Sequence, residues 1–302
     1  MKLKNIGEFG LIARIAGGIK TDRSVVKGIG DDCAVMKWTA GKYLLATVDM
    51  LIEDRHFRRS QPPELVGWKA VCCGVSDIAA MGGVPRWALI SCGLPKELPL
   101  SYTDGLYRGI NKAARAFGLT IVGGDTNESE KVILDVTVLG EAAKKEVVTR
   151  DGARAGDFIF VTGRLGGSIK GRHLRFTPRL AESRLLVKKF KVNAMIDISD
   201  GLSSDLGHIL DESRVGALIY EDLLPCSKEG RTTAHALSDG EDFELLFTMS
   251  AKEAFRLMKA RETLFDIPVT RIGMITPRAA GANLVDAYGR KRALRPAGFR
   301  HF

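Results

Sequence analysis

The chain has 302 residues, 45% apolar and 27% charged, and its 45 Lys and Arg against 36 Asp and Glu leave a net charge of +9. That balance fits an ordinary globular protein of about two domains and excludes disordered and fibrous architectures. The longest apolar runs, such as Tyr43 to Val48 and Val132 to Leu139, fall far short of the roughly 18 residues a membrane span needs. No apolar stretch near Met1 reads as a secretory signal, so a cytoplasmic location is expected. Five cysteines with no zinc-binding spacing read as reduced thiols.

In chain order, Tyr43 to Val48 is a β-prone run, and a helix is bounded by Pro62-Pro63-Glu64 and Gly82-Gly83-Val84-Pro85. An apolar run follows from Trp87 to Leu94, then a helix from about Ser101 to Phe117. Strands are expected at Thr120 to Val122 and Val132 to Leu139, split by a turn at Gly123 to Asn127. The polar segment Glu141 to Gly156 has no apolar period and suggests a boundary near residue 145, giving domains 1–145 and 146–302. The second half reads as strand Phe158 to Thr162, a Gly-rich turn at Gly163 to Gly171, helix Pro178 to Phe190, strand Ala194 to Ile198 and helix Ser203 to Ser213. Strands at Ala217 to Tyr220, Glu244 to Met249 and Val269 to Met274, a helix at Ala251 to Arg261 and a basic tail from Arg290 complete it. Such alternation means α/β or α+β packing.

Acidic residues recur beside glycine or at element ends: Gly28 to Asp32, Thr47 to Asp49, Ser76 to Gly82, Gly123 to Thr126 and Asp197 to Gly201. Any one Asp-Gly pair is as readily a plain turn. Five together suit a different purpose, because carboxylates at strand ends can converge on Mg2+ shared with substrate phosphates, while glycine frees backbone N–H groups for phosphate. No P-loop, dinucleotide fingerprint or protein-kinase motif set is present. A nucleic-acid-binding module is disfavoured, since aromatics are only 7% and the basic residues are dispersed apart from Lys188-Lys189 and Arg290 to Arg292.

These motifs, with Glu8 to Ile12, His56-Phe57, Thr149-Arg150, Thr162-Gly163, Ser204 to Leu206, Gly240 to Leu245 and the closing Gly298 to Phe302, resemble the thiamine-monophosphate kinase family. That family belongs to a superfamily with aminoimidazole ribonucleotide synthetase, selenophosphate synthetase and a carbamoyl-dehydrating hydrogenase maturation factor. The resemblance implies a two-domain aminoimidazole ribonucleotide synthetase-like fold, a homodimer in which N-terminal sheets pair into a barrel, and phosphorylation of thiamine monophosphate by ATP. It implies several Mg2+ ions held by Asp31, Thr47, Asp49, Asp77, Asp125, Asp197 and Asp200. ATP would be contacted by Gly124, Asp125, Arg150 and Ser199, and thiamine monophosphate by His56, Glu241 and Phe299. Asp32 is either a ligand or a supporting group, Asp205 a turn or capping residue, and His173, His208 and His235 receive no role. Val48 stands where the family carries a hydroxyl residue, and the segment Gly166 to Pro178 is short. Another ATP-dependent synthetase of the superfamily is the alternative, disfavoured because no cysteine stands in an early Gly-rich segment or at the closing residues.

The acceptor's chemistry predicts the rest. A phosphate monoester is already anionic at neutral pH, its second pKa being about 6, so no general base and no catalytic side chain of that kind is expected. Charge repulsion between two phosphates is the obstacle, and a carboxylate-held Mg2+ cluster with Arg150 beside it offsets that repulsion.

Overall fold

Period-two burial along two long strands sets the first half. β1 (Val25–Lys27), β2 (Ala34–Lys37), β3 (Lys42–Ile52), β4 (Val84–Leu94), β5 (Thr120–Glu128) and β6 (Ile133–Ala143) form a six-stranded sheet in the order β1-β2-β3-β6-β4-β5. The computed structural model describes residues 3–299. All pairings in this sheet are antiparallel except the parallel β4 and β5. On β6, Leu134, Val136 and Val138 are buried while their neighbours are partly open, so one face meets the core and the other does not.

Ahead of the sheet lies α1 (Gly7–Ala16), and two helices, α2 (Pro63–Ala80) and α3 (Leu100–Phe117), cover its inner face. Proline at the first position starts α2, and Gly82, at φ +71°, turns the chain away beyond its end. The two helices approach backbone to backbone at glycines: a Cβ on Gly67 would stand 2.0 Å from the Leu106 carbonyl oxygen, and one on Gly109 would stand 1.9 Å from that of Glu64. Thirteen of the 18 residues of α2 are buried, because it also touches the second half of the chain.

That second half comprises β7 (Phe158–Thr162), α4 (Leu180–Lys189), β8 (Ala194–Asp197), α5 (Leu202–Ser213), β9 (Val215–Tyr220), α6 (Thr233–Ser238), β10 (Leu245–Met249), α7 (Ala251–Leu264), β11 (Val269–Pro277), β12 (Ala282–Val285) and β13 (Lys291–Ala293). Its seven strands run in the order β13-β12-β9-β11-β7-β10-β8. β8, at one edge, α4 and the single helical turn Arg172–Leu174 pack against α2. The result is a mixed α/β molecule with two sheets, as the sequence alternation suggests.

Two expectations differ from the fold. The stretch Gly123 to Asn127 is not a turn but the interior of β5, paired with Leu89 to Gly93. A Cβ on Gly124 would lie 1.8 Å from the Ile90 carbonyl oxygen, so glycine here permits close strand pairing. The basic tail also contributes β13, and α1, β1, β2, α6 and β12 had no clear sequence signal. Arg300 to Phe302, the end of the closing motif, lie outside the described residues.

Candidate active site

The loop between β1 and β2 is the first contributor. Asp31 and Asp32 are adjacent and meet different partners: Asp31 accepts from the backbone N–H of Arg150 at 3.2 Å and lies 3.8 Å from Lys27 Nζ. Asp32 instead joins Asp77 of α2 and Asp197 at the end of β8, and the three offer carboxylate oxygens all within 4.8 Å of one another. Of the two acids in this loop, it is Asp32, read from sequence as either a ligand or a supporting group, that stands within this tight group. Arg150, in the segment between the sheets, donates from Nη2 to Asp32 Oδ1 at 2.6 Å.

Two hydroxyls orient the group. Thr47 Oγ1 donates to Asp77 Oδ2 at 2.5 Å, and Ser76 Oγ donates to Asp197 Oδ2 at 2.6 Å across the two halves. Asp49 shares the inner face of β3 with Thr47, and Val48 between them faces the other way, 59% exposed. The Val48 side chain thus sits on the outer face of the sheet rather than among the buried acids.

Burial lifts these carboxyls well above their ordinary range. Asp31 and Asp32 are pushed up to about 7, by burial first, with the Asp32 charge adding to the effect on Asp31 and Arg150 opposing the effect on Asp32. Asp49 and Asp197 rise to about 6, again by burial first, with Glu241 next for Asp49 and the Asp49 charge adding for Asp197. Asp77 is likewise raised well above its ordinary range, by burial first and then by the charges of Asp49 and Asp197. Asp32 Oδ2 and Asp49 Oδ2 are buried and accept no hydrogen bond from the described residues. Oxygens in that condition, in a group that cannot ionise together unaided, are a donor set suited to a hard divalent cation.

A cleft of about 1230 Å³ opens on this group, walled by the Gly28 to Asp32 loop, Thr47, Arg150, Ser199 and Asp200. Asp200 and Ser199 lie in the turn from β8 into α5, where Asp205 Oδ2 accepts from the backbone N–H groups of Asp200 and Gly201 at 3.2 and 3.0 Å and so closes the helix start. Gly124 and Asp125 do not reach the cleft. In register, Asp125 lies across β4 and β6 from Met50, three strand spacings or about 14 Å away, on the edge strand β5.

The other three candidates converge beside α2. His56 Nδ1 accepts from the Ile52 backbone N–H at 2.9 Å, which fixes the ring, and its centroid lies 6.1 Å from that of Phe299. Arg55 stands over the same Phe299 ring at 5.1 Å. The Phe299 backbone N–H donates to the Asp200 carbonyl at 3.1 Å, which ties the chain end to the acid-bearing turn. Glu241 donates its backbone N–H to the Ser199 carbonyl at 2.6 Å, and its carboxylate takes an ion pair from Lys69. Lys69, unforeseen in the sequence, is the lone charged residue in the buried stretch Val66 to Ser76 of α2, a legible if unspecific signal.

Asp242 and Glu244 of the same motif serve the surrounding loop. Asp242 accepts from the Gly166 backbone N–H, Ser168 Oγ and Arg172, and Glu244 receives Arg179 through two bonds of 2.6 Å. The short segment Gly166 to Pro178 is held down by these contacts and by Phe176, stacked on Phe243 at 4.0 Å between centroids.

Comparison with known proteins decides the family. The AIR synthase related protein, N-terminal domain, matches residues 30–142, and the AIR synthase related protein, C-terminal domain, matches residues 134–283. Thiamine-monophosphate kinase of Aquifex aeolicus is 38% identical with full coverage of both chains. The chain belongs to the thiamine-monophosphate kinase family. The enzyme of that name from Rhodopirellula baltica is 36% identical over 97% of each chain. Among solved structures, AaThiL complexed with AMPPCP and TMP superposes with a TM-score of 0.86 at 36% identity, covering 100% of this chain and 99% of that one. In this family member, no helix among the described residues is long and apolar enough to cross a membrane.

Proposed function

We propose that the protein transfers the γ-phosphoryl group of ATP onto thiamine monophosphate, forming thiamine diphosphate and ADP. The observation that carries this reading is that α2 touches both groups of candidate residues. Lys69 lies beneath the His56, Phe299 and Glu241 group, and Asp77 stands in the acid group eight residues on, about 12 Å along the helix axis. One rigid element thus holds the acceptor's ring end and the phosphate end in fixed relation, and fixed positioning is the larger part of catalysis where the nucleophile is already anionic.

Asp32, Asp49, Asp77 and Asp197 would hold Mg2+ ions, with Asp31 and Asp200 at the margin, and the two unbonded buried oxygens support that assignment. The ions, when bound, neutralise the phosphates. Arg150 supplies a fixed positive charge at the cleft wall, and Ser199 and Asp200 border the polyphosphate. Glu241 offers a carboxylate to the thiazolium cation, and Phe299 with His56 offers ring faces to it and to the aminopyrimidine.

Asp125 and Gly124 complete this site only in a homodimer, where the partner subunit's edge strand would bring them over the cleft. Support comes from the outer face of the N-terminal sheet, which leaves Val48 and Met50 59% and 52% exposed in a single chain, together with Val26, Leu89 and Val122. We likewise divide the chain into domains near residue 145, between the two sheets, and place the enzyme in the cytoplasm, where its nucleotide is supplied.

The test is ADP release with thiamine monophosphate, free thiamine and selenide as acceptors, with and without Mg2+. Turnover confined to thiamine monophosphate and dependent on Mg2+ is expected. Equal ADP release without any acceptor, or turnover on selenide alone, would overturn the assignment.

A further inference from the structure

Lys69 is 1% exposed, and its Nζ makes two contacts, a 3.0 Å bond to the His56 carbonyl and an ion pair with Glu241 Oε2. An ammonium this deep is expensive to desolvate, and an apolar side chain of similar size is commonly as good or better for stability at such a position. The partners are therefore informative. One is the backbone of a residue assigned to the acceptor's ring end, from the first half of the chain, and the other is the carboxylate assigned to the thiazolium, from the second.

Glu241 needs holding. Its backbone sits at φ +57°, in the left-handed region that a residue with a Cβ adopts at a cost, between Gly240 at +69° and a second such residue, Phe243, at +49°. The bond from its N–H to Ser199 fixes the main chain, and Lys69 fixes the side chain by one oxygen. The other oxygen accepts nothing from the described residues, and the side chain keeps 19% exposure, so one face of the carboxylate stays open.

We propose that Lys69 is a positioning residue for the acceptor: by gripping Glu241 Oε2 and the His56 carbonyl together, it sets the open carboxylate oxygen and the histidine ring at the spacing that a thiazolium-bearing phosphate ester requires. The proposal rests on the reading of Glu241 as an acceptor contact. A plain strut between the two halves would instead affect the whole cleft.

The experiment is a double-mutant cycle of Lys69→Met and Glu241→Gln, with KM measured separately for thiamine monophosphate and ATP and a melting curve for each variant. Lys69→Met should raise KM for thiamine monophosphate by about tenfold and KM for ATP by less than about twofold. In the Glu241→Gln background, the same substitution should raise that KM by clearly less than tenfold, since Lys69 then holds only an uncharged amide and the His56 carbonyl. If Lys69→Met fails to fold, Lys69→Gln, whose amide can still donate to the His56 carbonyl, carries the same test. Equal rises for both substrates, or independent additive effects, would overturn the positioning role. An unchanged KM in Glu241→Gln sinks the reading of Glu241 and this proposal with it. A raised KM there beside an unchanged one in Lys69→Met sinks the positioning role alone.

Discussion

Ser76, buried in α2, donates its hydroxyl to Asp197 Oδ2 at 2.6 Å, so an acid of the second half is aimed by a helix of the first. Hydrogen bonds to charged groups contribute about 1.5–3 kcal/mol. Ser76→Ala should therefore lower kcat by about tenfold or more and raise the Mg2+ concentration for half-maximal rate, with little change in KM for thiamine monophosphate. A Mg2+ titration of activity decides it, and an unchanged midpoint would separate Asp197 from metal binding.

The different partners of Asp31 and Asp32 give a second test. Asp32→Asn should cost about 100-fold in turnover, as should Asp49→Asn and Asp77→Asn, because each removes charge that offsets phosphate repulsion. Asp31→Asn should cost clearly less. Steady-state kinetics on the four variants checks this order, and an Asp31 effect larger than that of Asp32 would reverse the assignment.

Stability should depend on pH in a definite sense. Asp31, Asp32, Asp49 and Asp197 are raised from 3.8 to between about 6 and about 7 in the folded chain, which therefore keeps protons that the unfolded chain has shed. This contribution to stability is fully present below about pH 4 and is lost as pH rises through 6 to 7. Mg2+ competes with those protons, so its stabilising effect should be small at pH 5 and grow to several degrees, about 2–4 °C per kcal/mol, at pH 8. Melting curves with and without millimolar Mg2+ at the two pH values measure it. A gap that does not widen with pH would argue against metal binding by these acids.

The ring contact of Phe299 with His56 predicts a selective loss. Phe299→Ala should raise KM for thiamine monophosphate by about tenfold, or roughly 1.4 kcal/mol, with a much smaller effect on ATP and with residual turnover. If the chain end only packs against the second half, the melting temperature will fall and both substrates will be affected alike.

A shared site can be tested by mixing. Asp77→Asn and Asp125→Asn homodimers should each be nearly inactive. Random exchange of their subunits should restore about a quarter of the wild-type rate, since half of the dimers then hold one intact site. No recovery after verified exchange would place Asp125 and Asp77 in the same subunit's site.

Much of this was legible from local pattern. Proline at 63 and Gly82 bracket α2 because both act through their own backbone torsions, and alternation along β3 separates Thr47 and Asp49 from Val48 whatever surrounds the strand. The acid-glycine motifs mark the cation site because their chemistry is carried by residue type. Tertiary structure decided what depends on distant neighbours. Gly124 reads as a turn until the Ile90 carbonyl is seen pressing against it, Asp31 and Asp32 are indistinguishable until α2 and β8 arrive on one side of their loop, and Lys69 has no visible purpose until Glu241, 172 residues away, closes on it. Periodicity encodes which face of an element is buried, but the partner met on that face is set by how the two sheets pack around α2, and no local pattern carries that information.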